Sequence, residues 1–502
     1  MPLAKVNSAA VLGLEAFPVE VEADISAGLP SFTIVGLPDK AIEESKERVR
    51  SAIKNSGANF PMKRITVNLA PADIKKEGPS YDLAIALGIL IADDQLPEID
   101  SKTLLVGELA LNGNLRHING ILPIAVNLKN KYLSIILPDI NKDEAAIVKG
   151  MKIYPAENLK SLIYHFKNEK NLSVYFKKFK ITLPKTYDFD MAYAKGQEQA
   201  KRALEISAAG GHNVLMMGPP GSGKTLLART IPSILPQLYE EEAIEVTKIY
   251  SVAGILPADQ PIINTRPFRA PHHTTSSVAL VGGGTFPKPG EITLAHRGVL
   301  FMDEFAEFPR SVLEALRQPL EDGVITVSRA QGSVLYPAKF ILVAAQNPCP
   351  CGYLGDTQKS CICTPTQILR YKKRVSGPLL DRIDIHIEVP RVKFEKLSDE
   401  KVAEESSVIR SRVEKARAIQ QKRSKKTNSE LKPAEIKKHC AIDIPSKELL
   451  RSAVNSLNLS ARQYVRTLKL ARTIADMEGS NNIKTSHLAE ALQYRPKDQS
   501  IY

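Results

Sequence analysis

Cysteine is scarce in this sequence. Five occur in 502 residues, and four of them fall within fifteen positions, which is not the spread of a disulfide framework. The cytosol is therefore the expected compartment. Long apolar runs are missing too. The best, Leu83 to Ala92, is ten residues, half of the roughly 20 that a bilayer crossing needs, so no membrane partner is expected. The first apolar stretch, Ala9 to Leu14, is short and stopped by Glu15, so no secretory signal is expected either. Acidic residues are in deficit. Lys and Arg number 68 against 55 Asp and Glu, a net charge of +13, which favours a polyanionic partner. No repeat of fixed period is visible. What remains is an ordinary globular balance, 43% hydrophobic and 25% charged, which excludes a disordered, collagenous or coiled-coil chain. The length suggests about three domains.

The first 165 or so residues mix strand and helix. Phe32 to Val35, Ile65 to Leu69, Thr103 to Val106 and Ser134 to Leu137 are short β-rich runs. Asp39 to Ser56 has helical spacing of apolar residues, and Ser80 to Ile91 reads as a more buried helix. A basic stretch from Lys167 to Lys185 reads as a linker. From Tyr187 to about Pro390 the pattern is α/β, with strands His212 to Met217, Gly298 to Met302 and Lys339 to Ala345. The first and last are nearly continuous apolar runs, as in a buried parallel sheet. Beyond Pro390 the chain turns helical and charged. Residues 401–430 carry nine Lys/Arg against four Asp/Glu, and the plain reading is a solvated helix face.

Gly218-Pro219-Pro220-Gly221-Ser222-Gly223-Lys224-Thr225 fits G-x-x-x-x-G-K-[ST] between a strand and a helix. The glycines let backbone N–H groups face a phosphate. Lys224 is expected to reach the β- and γ-phosphates of ATP, and Thr225 to ligate Mg2+. The apolar run Val299 to Met302 ends in Asp303 and Glu304. Asp303 can hold the Mg2+, and Glu304 can polarise the attacking water. A third strand ends at Gln346-Asn347. Because the cleft of an α/β sheet lies at the carboxyl ends of its strands, Asn347 is expected beside the γ-phosphate. The thiols Cys349, Cys351, Cys361 and Cys363 share one short loop. Four soft ligands suit a structural Zn2+; reduced buried thiols and redox disulfides are the alternatives. Cys440 stands alone and reads as a core residue.

Longer stretches carry a resemblance. GPPGSGKT, PFRAPHHTTSSVALVGGG from Pro267, GEITLAHRGVLFMDE ending at Glu304, NPCPCG from Asn347, SGPLLDRID from Ser376 and SARQYVRTLKLARTIAD from Ser460 span most of residues 187–490. Together they resemble the ComM/YifB family of magnesium-chelatase-like AAA+ ATPases. The resemblance implies an α/β fold: an AAA+ P-loop core with a helical lid, preceded by an α+β Lon-protease-like domain. The implied boundaries are 1–165 for the Lon-like domain, 166–186 for the linker, 187–395 for the core with its thiol loop 349–363, and 396–502 for the lid. It also implies a homo-hexamer with ATP between subunits. Arg382 is then an arginine finger acting on a neighbour's nucleotide, its alternative being an ordinary salt bridge with Asp381 or Asp384. Arg462 matches the sensor 2 arginine of the lid. One family insertion is expected within Tyr250 to Thr293. A second, a pre-sensor hairpin, is expected within Gly323 to Lys339, with Arg329 near its tip as a phosphate-binding DNA contact; a plain surface arginine is the alternative.

In the N-terminal part, Lys76 to Ser80 resembles the serine motif of Lon-type proteases. The position of that family's lysine aligns with Leu122, so proteolysis is not expected, and Ser80 reads as a helix N-cap. The family's function would be ATP-driven branch migration on single-stranded, duplex or branched DNA, in homologous recombination during natural transformation, with recombination proteins as possible partners. The rival is a motor subunit of a magnesium-chelatase-type complex. Against it, a Lon-like N-terminal domain is foreign to chelatase motors on this reading.

Overall fold

In the computed structural model the described residues are 3–73, 75–179, 187–257, 259–284, 287–329, 332–392 and 403–496. The chain divides into two compact units. One is Met1–Ile181 with Ala243–Ile263; the other is Thr182–Glu242 with Asn264–Tyr502. Residues 243–263 were expected within the core and its insertion, and they group with the N-terminal unit instead.

The first unit is built on seven strands. Their order is Ser31–Val35, Arg64–Ala70, Glu15–Ser26, Ala4–Leu12, Thr103–Leu105, Ser134–Pro138 and Lys152–Ala156. Glu15–Ser26 runs antiparallel to both its neighbours, and the strands from Ala4–Leu12 to Lys152–Ala156 run parallel. Helix Asp82–Ala92 has no polar face and is buried along its whole length, as an all-apolar helix must be. Asp82 opens it. Its carboxylate accepts from Arg48 Nε at 2.8 Å, from the Leu109 N–H at 3.2 Å and from the Ser45 hydroxyl. Ser80 does not cap this helix. It lies in a 3-10 turn, Pro79–Tyr81, that runs directly into the helix, so its side chain is not at the capping position. Leu122 is fully buried in helix Ile121–Leu128. The 243–263 segment is tied in through Ser251, whose hydroxyl donates to buried Glu144 and accepts from the Gly120 N–H at 3.1 Å. Part of the expected linker is also anchored: the Tyr175 N–H donates to the Ile153 carbonyl at 2.8 Å at the sheet edge. Residues 180–186 of that linker lie outside the described residues.

The second unit centres on a five-stranded sheet in the order Phe268–Arg269, Val299–Met302, Ile341–Gln346, Val214–Met217, Ile385–Glu388. All neighbours are parallel. The parallel pairing explains the near-continuous apolar runs, because both faces are covered. Helices Glu198–Gly210, Ser406–Ser424 and Ala461–Met477 contribute to one hydrophobic core with these strands. The charged run reads only partly as a solvated face. Ile409, Val413, Ala416, Arg417 and Gln420 form the buried stripe of Ser406–Ser424, and Arg417 donates to the Ala208 carbonyl at 2.9 Å. Val324–Arg329 and Gly332–Pro337 form an antiparallel ribbon in the register Ser328 to Ser333. Its tip and the Arg329 side chain lie outside the described residues. The boundary expected at 395 does too, since 393–402 are not described.

Candidate nucleotide site and thiol cluster

The phosphate loop leaves the carboxyl end of Val214–Met217 and enters helix Lys224–Ile234. Glycine is required where the loop starts, since a Cβ on Gly218 would lie 2.1 Å from the Val389 carbonyl oxygen. It is required again at Gly223, which sits before the helix with φ +88°. The loop therefore presents a helix N-terminus, the ordinary seat of a phosphate. Lys224 is nearly buried, and its Nζ bonds the carbonyls of Gly218 at 2.8 Å and Pro219 at 2.9 Å. Burial lowers its pKa, partly offset by the Asp303 carboxylate.

Neighbouring strand ends converge on this lysine. The Thr225 hydroxyl donates to Asp303 Oδ2 at 2.7 Å, so the two expected Mg2+ ligands are adjacent. Asn347 Oδ1 lies 3.4 Å from Lys224 Nζ. Glu304 turns away from the strand in a left-handed conformation, φ +51°. Its carboxylate meets His273 Nδ1 at 2.9 Å. The His273 ring lies 4.1 Å from that of His272, tilted by 34°, and meets Phe308 edge-on. Sequence reasoning gave His273 no role. The signal was the histidine pair within PFRAPHHTT, but nothing local says that it faces Glu304. Beside Gly221, Ser222 and Gly223 lies a cavity of about 260 Å3, also lined by Tyr193, Gln197, Leu226 and Arg391. The Gln197 amide donates to the Ser222 carbonyl.

The candidate arginine finger and the candidate sensor 2 arginine are elsewhere. Arg382 precedes strand Ile385–Glu388, whose first residue pairs with Val214, so it sits at the amino end of the sheet. Its guanidinium pairs with Glu321 at 2.5 Å and donates to the Pro378 carbonyl. Arg462 reaches the same Glu321 at 3.5 Å. Neither Asp381 nor Asp384 holds Arg382. Asp381 accepts from Gln463, and Asp384 is taken by Arg466 at 2.6 Å. Arg466 also faces a larger cavity at this end, about 640 Å3, bordered by Arg417, Glu430 and Lys469.

The thiol loop follows Asn347 directly. Cys349 Sγ lies 3.4 Å from Cys351 Sγ and 3.7 Å from Cys361 Sγ, and Cys351 to Cys361 is 3.6 Å. All four sulfurs, with Cys363, fall within 4.8 Å of one another. A tetrahedral ion with bonds near 2.3 Å spaces its sulfurs by about 3.8 Å, so the donor set fits one. No cysteine is in a disulfide. The N–H groups of Tyr353 and Ile362 pull the Cys351 thiol down to about 6. Cys440 is buried in the hydrophobic core, as expected of a core residue.

Three family models match the chain. One described as magnesium chelatase, subunit ChlI, covers residues 190–397. Subunit ChlI of Mg-chelatase covers 21–141, and the ChlI C-terminal model covers 403–495. A model described by a chelatase subunit thus matches part of the N-terminal region as well. Over 502 residues the chain is 45% identical to competence protein ComM of Haemophilus influenzae, covering 99% of this chain and 98% of that one. It is also 45% identical to the uncharacterized protein YifB of Escherichia coli, over 100% and 98%. The magnesium-chelatase 38 kDa subunit of Rhodobacter capsulatus is 25% identical, over 60% of this chain and 84% of that subunit.

Proposed function

Because this chain belongs to the ComM/YifB family of magnesium-chelatase-like AAA+ proteins, we propose that it is an ATP-driven DNA motor. It works as a homo-hexamer that promotes branch migration of recombination intermediates, in natural transformation and beside other recombination proteins. The name of the Haemophilus relative, competence protein ComM, supports the competence setting. The carrying observation is the division of the sheet. Lys224, Thr225, Asp303, Glu304 and Asn347 gather at its carboxyl end, while Arg382 belongs to the other and shares Glu321 with Arg462. An arginine so placed serves a nucleotide only on another subunit, which is the logic of a ring.

On this reading ATP lies along Gly218 to Thr225, with its base side toward Tyr193 and Leu226. Thr225 and Asp303 hold Mg2+, which supplies charge neutralisation on the phosphates. Glu304, oriented by His273, takes the proton of the attacking water, and Asn347 positions that water. Cys349, Cys351, Cys361 and Cys363 take a structural Zn2+. The 1–165 region is a proteolytically inactive Lon-like domain, and residues 396–502 form the lid. Arg329 at the ribbon tip contacts DNA phosphates. The setting is cytoplasmic; among the described residues no helix is long and apolar enough to cross a membrane.

The chelatase descriptions of all three family models favour a second reading, the motor subunit of a metal-insertion complex. ATPase rates without DNA, and with single strand, duplex and a four-way junction, separate the two. The motor reading expects stimulation, greatest with the junction. An active ATPase indifferent to all three would reject it and favour the chelatase role.

A further inference from the structure

The stretch from Cys349 to Thr364 contains no helix or strand. It has little apolar packing of its own: Cys349 is buried, but Ile362 is 86% exposed and Leu354 is 37% exposed. A loop of this length needs a tether to hold one shape. The four sulfurs are arranged to supply such a tether across the two ends of the loop. Their donor set is closed, with four protein ligands and no position left for water or substrate, which is the pattern of a structural rather than a catalytic ion.

What the loop touches gives the tether a purpose. Its first turn closes by a Gly352 N–H to Cys349 carbonyl bond of 3.0 Å. Gly352 sits at φ +85°, and a Cβ there would fall 2.6 Å from Pro220 Cδ and 3.7 Å from Asn347 Cγ. Backbone thus lies directly on the phosphate loop, beside the asparagine that bonds Lys224. Farther along, the Asp356 carboxylate accepts from the Gln358 and Lys359 N–H groups and pairs with Arg391 at 2.7 Å. Gln358 and Arg391 both line the 260 Å3 cavity with Gly221, Ser222 and Gly223.

We propose that a Zn2+ held by Cys349, Cys351, Cys361 and Cys363 makes this loop a rigid wall of the nucleotide site. It braces Pro220 and Asn347, so ATP affinity depends on the metal. The coupling rests on the ATP-binding reading; the metal site does not. Removing the ion frees the loop, and the entropy of re-ordering it is then charged against nucleotide binding.

The test uses the full chain, purified under reducing conditions without added metal. Metal analysis should find about one zinc per chain, and Cys351→Ser with Cys361→Ser should abolish it. A fluorescent ATP analogue should bind at least about tenfold more weakly after chelator treatment, and added Zn2+ should restore it. Gly352→Ala separates the two parts, since it disturbs the Pro220 contact and leaves the thiols intact. It should keep its zinc and lose nucleotide affinity. Zinc-free wild-type protein would overturn the metal site. Unchanged affinity in stripped chains that circular dichroism shows to be folded, or in zinc-bearing Gly352→Ala, would overturn the bracing. A zinc-loaded wild type that binds no nucleotide would overturn the ATP reading, and the bracing with it, while leaving the metal site standing.

Discussion

Replacing Arg382 by alanine should stop turnover without unfolding the chain or weakening its hold on ATP. Val214 is level with Ile385 in the sheet, and Gly218 lies four residues farther along that strand. At about 3.3 Å per residue that is about 13 Å, and Arg382 lies still farther back, before Ile385. Its side chain cannot span that gap, and it is bonded to Glu321 and the Pro378 carbonyl instead. Glu321 is 43% exposed although Arg382 is only 11% exposed, so loss of the pair and of the Pro378 bond should cost about 1–3 kcal/mol of stability. Loss of a cation at a transferring phosphoryl group costs about 10^3 to 10^5 in rate, about 4–7 kcal/mol. The two magnitudes differ enough to be told apart. The assay measures steady-state hydrolysis, analogue binding and melting on one preparation. Arg382→Ala chains are then mixed with Lys224→Ala chains, so that some interfaces regain both a sound phosphate loop and a sound arginine. Activity should return in the mixture. No recovery in rings shown to be mixed, or hydrolysis in Arg382→Ala above about a tenth of wild type, would refute action across an interface.

Lys224→Ala should lose nucleotide binding outright, whereas Glu304→Gln should bind and not hydrolyse; equal loss of affinity in both would contradict the division of roles. His273→Ala should lower the hydrolysis rate with little change in analogue affinity, and a pure affinity loss would remove it from the Glu304 pair. Although burial works against it, the Lys339 ammonium and the Thr427 N–H hold the Glu430 carboxyl down to about 2. A lowered carboxylate pKa stabilises above its unfolded value and stops doing so as pH falls through the folded one. Glu430→Gln should thus cost about 3 kcal/mol at pH 7, a deficit that shrinks from pH 4.5 toward 2. Chemical denaturation at pH 7 and pH 3, where about half of the deficit or less should remain, checks this, and a pH-independent deficit would count against it. Arg329→Ala should abolish DNA stimulation and flatten the log–log salt dependence of DNA binding by about one unit; a wild-type slope and stimulation would discard the contact.

Local chemistry made much of this molecule readable from its sequence. The phosphate loop and the Asp303–Glu304 strand end need particular residues at fixed spacing, and Asn347 follows from the rule for strand ends. Phe32–Val35, Ile65–Leu69 and Ser134–Leu137 fell within a residue of the observed strands. The first two strands went unread. In Glu15–Ser26 a Pro18 and the acidic Glu20, Glu22 and Asp24 mask an alternation in which Val19, Val21, Ala23 and Ile25 face inward. Long-range pairings left no local trace. Nothing near Glu321 announces that it holds two arginines, nothing near His273 announces Glu304, and Ser80 was misjudged because a preceding 3-10 turn shifts the helix start to Asp82.

The chain leaves its first unit at 181, returns to it for 243–263 and leaves again. The N-terminal region is therefore no bead on a string that evolution or a cloning experiment can swap at one junction. A fragment beginning at residue 182 would still carry Ser251 and Gly254, but without Glu144, Gly120 and Asn119, which they meet in the intact fold. Such a fragment should be prone to aggregate. The first unit is thus completed by a segment that the chain supplies only after it has begun the second.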